Sequence, residues 1–163
     1  MLTQVRQAKS VTIPTLIFAI LSLLGFLVPF YFPGAGGLLS IIGTSIILCC
    51  ASNEAGGYMA CAVLSIISAV IHLVGCALYV WYYAMVVVAF STNSTNYDYN
   101  YDNYDYVGAG AAVAAWLAPI FIPIMIITGV AGVLEIILAV YCCKAHSALQ
   151  TVLPHSQAKP PAA

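Results

Sequence analysis

The stretch YMACAVLSIISAVIHLVGCALYVWYYAMVVVAF, Tyr58 to Phe90, carries no Asp, Glu, Lys or Arg at any position. A helix rises about 1.5 Å per residue, so about 20 apolar residues cross the hydrocarbon of a bilayer. This run is longer than one crossing needs. Tyr79, Trp81, Tyr82 and Tyr83 sit where an interfacial belt of aromatic rings is expected, so the span is read as 58–83, with the remainder projecting outward.

Three more apolar runs flank it. Val11 to Phe32 is uncharged throughout and reads as a span over 11–32. Pro33-Gly34-Ala35-Gly36-Gly37 is a turn signal. The run Leu38 to Cys50 is short alone but suffices once the glycines join its helix, giving a span over 36–51. Ala51 to Gly57, with Glu54 and two glycines, reads as a tight loop. The last run, Val107 to Cys143, is again long, and Trp116 and Tyr141 bracket one crossing over 114–141. Pro119 and Pro123 can bend that helix without ending it if neighbours satisfy the freed carbonyls. The first run also invites comparison with a cleaved leader, since Arg6 and Lys9 precede it. Its apolar core exceeds the roughly 7 to 15 residues of such leaders and contains Pro14 and Pro29, so it is taken as a span.

The expected fold is therefore all-α, a four-helix transmembrane bundle over 11–143, with tails 1–10 and 144–163 and an outer loop 91–106. Composition agrees. The chain is 63% apolar and 6% charged, against about 25% charged in soluble domains. Charge is scarce because it costs roughly 2.5 to 3.5 kcal/mol at mid-bilayer on insertion scales. A net charge of −1 leaves no basic footprint for nucleic acid. Arg6, Lys9, Lys144 and Lys159 all fall in the tails or at their borders, whereas the second outer loop holds Asp98, Asp102 and Asp105. The positive-inside rule then places both termini in the cytosol.

The residues that could carry chemistry are few. There is no phosphate-binding glycine loop, zinc-spaced His/Cys set or nucleophile elbow, so neither catalysis nor a cofactor or metal is expected. Glu135 and His72 are ionisable groups within apolar runs. Such groups suggest a proton or cation path on one reading and a hydrogen-bonded structural contact on the other. Cys49, Cys50, Cys142 and Cys143 end two helices near the cytosolic interface and are candidates for S-palmitoylation; otherwise they are small apolar helix residues. Gly36, Ser40, Gly43 and Thr44 share one face of the second helix, and Ser65, Ser68 and Ala69 do likewise on the third. The two faces are expected to form a close helix–helix seam, with Ser40 and Thr44 able to hydrogen-bond across it. Asn93-Ser94-Thr95 is a glycosylation sequon on Asn93 in an acidic, tyrosine-rich loop suited to weak contacts with partners. Asp98 to Asp102 begins like a calcium loop but lacks its glycine and final acid.

Two stretches carry a family resemblance. Gly36-Gly37-Leu38-Leu39-Ser40-Ile41-Ile42-Gly43-Thr44-Ser45, followed by a compact loop, resembles the second span of the membrane-spanning four-domains subfamily A, the family of the B-cell tetraspan antigen and the IgE-receptor β chain. Val133-Leu134-Glu135-Ile136-Ile137-Leu138-Ala139-Val140, followed by Cys and Lys, is similar to its fourth span. The tails are shorter than is usual there, the inner loop lacks basic residues, and the second outer loop has no cysteine pair. The resemblance implies a plasma-membrane or endomembrane tetraspan that associates with itself and with receptors or channels to modulate signalling. A channel or transporter subunit using Glu135 and His72, and a MARVEL-type protein of membrane apposition or curvature, are the alternatives.

Overall fold

The computed structural model describes residues 2–24, 32–50, 55–92 and 106–151 of the chain. Among the described residues there are four α-helices: α1 Leu2–Ser22, α2 Phe32–Ser45, α3 Ala55–Thr92 and α4 Tyr106–Gln150. α2 continues into one wider π turn, Ile46–Cys50. Among the described residues there is no strand. Residues 93–105, which include Asn93 and nearly all of the tyrosine-rich loop, lie outside the described residues.

The helices begin and end at different places from the apolar runs. α1 starts at Leu2, well before Val11, and α4 continues past Cys143 to Gln150. Hydropathy reports where the chain prefers oil, whereas the backbone ladder follows propensity and packing. Residues 2–9 are rich in Leu, Gln, Arg, Ala and Lys, all good helix formers. The two extensions also pack together, with Ala8, Ala145 and Leu149 in one buried cluster with Tyr58, Cys61 and Cys142. The N-terminal end of α1 and the C-terminal end of α4 therefore share one end of the bundle. Two segments, Ala55–Ala89 and Ala115–Gln150, are long and apolar enough to cross a membrane; Gly34–Cys49 is a shorter apolar helix.

Each helix packs on its chain neighbours, and α1 closes the ring against α4. The α3–α4 seam is the most extensive. Its antiparallel register is fixed by Cys61 on Cys142, Ser68 on Glu135, Cys76 on the Met125 carbonyl, and Tyr79 on Phe121. The polarity of this bundle is inverted relative to a water-soluble one. Thr12, Thr15, Ser65, Ser68, His72, Thr128 and Glu135 are at most 1% exposed, while Ile66, Val70, Ile126 and Val133 are all more than half exposed. Several hydroxyls are satisfied within their own helices, as Thr12 donates to Ala8 O, Thr15 to Val11 O and Thr128 to Ile124 O. The outer faces are left to aliphatic side chains.

Glycine sets the helix spacing where α2 meets its neighbours. A Cβ at Gly37 would stand 2.6 Å from the Ala19 carbonyl oxygen, and one at Gly36 would stand 2.9 to 3.1 Å from three atoms of the His72 ring. Gly56 is the opposite case, with nothing within 4 Å of an added Cβ. Gly56→Ala is accordingly expected to raise stability by about 0.5 kcal/mol through backbone entropy and helix propensity alone. Reversible unfolding of the purified protein would check it, and a loss of stability would contradict the open surroundings of Gly56.

Candidate functional site

Three helices bring four polar groups together in the interior. On α3, Ser68 and His72 are one helical turn apart and face the same way. Glu135 reaches them from α4, and the backbone carbonyl of Gly36 reaches them from α2. Ser68 Oγ lies 2.7 Å from Glu135 Oε1 and 2.6 Å from Gly36 O. His72 Nδ1 lies 2.9 Å from Glu135 Oε2 and 3.4 Å from Ser68 Oγ. His72, Ser68 and Glu135 are each fully buried. The His72 ring needs the missing side chain of Gly36, because a methyl group there would occupy its place.

Counting protons shows what this cluster requires. A serine hydroxyl has one hydrogen to donate, yet Ser68 makes two short contacts to oxygens. Shared between the two oxygens, that hydrogen would serve each poorly; both contacts are full hydrogen bonds when Ser68 donates to Gly36 O and accepts an O–H from Glu135. Glu135 Oε1 then carries a proton, and Oε2 accepts the Nδ1–H of a neutral His72. An ion pair of carboxylate and imidazolium would satisfy the cluster less well. Ser68 would have to share its one hydrogen between two acceptors, and a buried Nε2–H would have no acceptor, since His72 Nε2 has no hydrogen-bond partner. In a neutral His72 that atom is a lone pair, a smaller loss than an orphaned cationic N–H. The geometry therefore favours a cluster holding one carboxyl proton and no net charge, as a low-dielectric interior demands.

The other residues singled out from the sequence are placed as follows. Gly36, Ser40, Gly43 and Thr44 all turn inward on α2, with Gly43 beside Leu64 of α3. Their hydroxyls do not bond across the seam as expected. Thr44 donates back to Ser40 O within α2, and Ser40 Oγ, although buried, has no hydrogen-bond partner. A threonine in a helix finds the carbonyl one turn back without needing a neighbour. Cys49 and Cys143 are exposed. Cys142 is fully buried against Cys61, so its thiol faces the α3–α4 seam and an acylating enzyme could reach it only if that seam parted. The side chain of Cys50, like Asn93, lies outside the described residues.

Sequence reasoning placed Ser68 only in a small-residue seam and gave the Gly36 carbonyl no polar role. The four-residue spacing of Ser68 and His72 was the available signal. Among the described residues, no group of three or more His, Cys, Asp or Glu comes together as a metal site. His146 Nδ1, 2.8 Å from Ala55 O, ties the start of α3 to the end of α4. Near the other end of the α3–α4 seam, Phe121 is ringed by Tyr79, Tyr82 and Tyr83 at centroid distances of 6.0 to 6.4 Å. Compared with family models, with curated proteins and with solved structures, the chain matches none of them.

Proposed function

We propose that this chain is a non-catalytic, four-span membrane protein with both ends in the cytosol, which works by associating with other membrane proteins, receptors among them, and with copies of itself. The inverted polarity of the bundle carries this reading. His72, Glu135 and Ser68 are drawn inward and bonded to one another, and buried threonines bond to their own helix backbone, while isoleucine and valine face outward around the bundle. That distribution is favourable in lipid and unfavourable in water. Arg6 and Lys9 on α1 and Lys144 on α4 belong to the end where α1 and α4 pack together, which supports a cytosolic assignment of that end. The resemblance to the membrane-spanning four-domains subfamily A supports receptor association, with residues 91–106 as the surface partners meet.

Three measurements test it. Alkaline carbonate should leave the protein in the membrane fraction, with tags at both ends protected from protease added outside intact cells. Affinity purification in mild detergent should then recover membrane-protein partners, and replacing Tyr97 to Tyr106 by a Gly/Ser linker should reduce their yield several-fold. Unchanged partners would sink the role of the loop; extraction by carbonate would sink the reading as a whole.

One contact favours a second reading, a channel or transporter subunit. His72 and Glu135, the histidine and carboxylate of two apolar runs, meet at 2.9 Å with His72 Nε2 unpartnered. If they relay protons, Glu135→Gln should abolish a pH-gradient-driven flux in reconstituted liposomes bearing an internal pH dye. A flux equal in the two proteins, or none in either, removes this reading.

A further inference from the structure

The outward side of the α3–α4 seam carries a trough of about 480 Å³. Its shape comes from a sequence repeat. Val63-Leu64-Ser65-Ile66-Ile67-Ser68-Ala69-Val70 and Val133-Leu134-Glu135-Ile136-Ile137-Leu138-Ala139-Val140 are identical at six of eight positions. With Ser68 against Glu135 the two copies run antiparallel side by side, related by a local two-fold axis. Ala69 and Ala139, at 3% and 4% exposure, form the floor; Ile66, Val70, Ile136 and Val140, about half exposed, form the walls. The same register sets Leu73 level with Val130, so the trough runs about 21 Å from Leu73 to Lys144 at 1.5 Å per residue. One leaflet of hydrocarbon is about 15 Å thick, so the trough spans a leaflet and ends at its headgroups. Among the described residues that line it Lys144 alone is charged, and its ammonium lies 5.8 Å from the centre of the Tyr141 ring.

We propose that this trough binds one phospholipid with an anionic headgroup. One acyl chain lies on the alanine floor between the β-branched walls, and the headgroup anion meets the Lys144 ammonium. The inference rests on the membrane reading above. A chain in a shallow, preformed trough gains dispersion contacts along its length. The cation at one end selects headgroup charge, which distinguishes this occupant from a sterol or a neutral lipid.

The test is native mass spectrometry of the full chain released from nanodiscs of equal phosphatidylserine and phosphatidylcholine. The parent should retain one phosphatidylserine in preference to phosphatidylcholine. Lys144→Gln should lower that preference about fivefold. Val70→Trp, at an exposed wall position, should fill the trough and remove retention of both lipids while helix content by circular dichroism is unchanged. Equal retention of the two lipids by the parent, or retention unaffected by Val70→Trp, overturns the proposal. So does a dimer that Val70→Trp dissociates, which would make a second copy the occupant. A hydroxylamine-labile acyl mass on Cys143 filling the trough would overturn it as well. Carbonate extraction, run in parallel, separates the failures: release from the membrane sinks both readings, while retention without lipid preference sinks this one alone.

Discussion

Glu135→Gln is expected to leave the bundle within about 1 kcal/mol of the parent, whereas Glu135→Ala should destabilise it by about 3 kcal/mol. The difference follows from the proton count. Glutamine has the shape of a protonated glutamate, with an amide N–H2 that can donate to Ser68 Oγ and a carbonyl that can accept from His72 Nδ1–H. The contacts at 2.7 Å and 2.9 Å therefore survive that substitution. Alanine leaves the His72 N–H without an acceptor and removes the donor to Ser68. Each loss is worth roughly 1 kcal/mol in a buried helix–helix contact, and the cavity left by the carboxyethyl group adds a comparable amount. Unfolding in bicelles, followed by far-ultraviolet circular dichroism, would measure both variants. His72→Ala combined with Glu135→Ala should cost less than the two single changes added together, by about 1 kcal/mol, because the groups share one hydrogen bond. If Gln proved as costly as Ala, the carboxyl would have to be ionised in the folded protein, and the neutral account of the cluster would fail.

How much of this was legible in the sequence depends on the range of the interaction concerned. The apolar runs are a local property, and each of the four predicted spans overlaps an observed helix. The ends were not legible from hydropathy, because Ala8, Ala145 and Leu149 extend two helices through a contact between opposite ends of the chain. Glu135 and His72 stood out because a polar group in an apolar run is conspicuous. That they touch could not be read, since the register of α3 against α4 is set by packing over the whole seam. Ser68 was harder still, because a serine on a helix usually bonds to its own backbone, as Thr12 and Thr44 do here. Its role appears only once the carbonyl of Gly36 and the carboxyl of Glu135 arrive from two other helices. The repeat in α3 and α4 is visible in the sequence alone, but its consequence, a two-fold trough, needs the antiparallel register.

Gly37→Ala should be the most damaging single-methyl addition in α2, lowering stability by about 2 to 3 kcal/mol. The added Cβ would meet a main-chain atom, the Ala19 carbonyl oxygen at 2.6 Å, with Ser22 Cβ at 3.3 Å beside it. A carbonyl within α1 cannot swing aside as a side chain can, so the two helices must separate, and separation forfeits dispersion contacts along their whole seam. Gly36→Ala meets the His72 ring at a longer distance, and the ring can turn, although turning weakens its bond to Glu135. Its expected cost is about 1 to 2 kcal/mol, and it should shrink when His72 is also replaced by alanine, whereas the cost of Gly37→Ala should be indifferent to His72. Gly56→Ala, with open space around it, serves as the helix-propensity control. Hydrogen exchange adds a positional check, since Gly37→Ala should accelerate exchange in α1 more than in the distant half of α3. A Gly37→Ala protein as stable as Gly56→Ala would mean that α1 and α2 do not approach each other through this glycine.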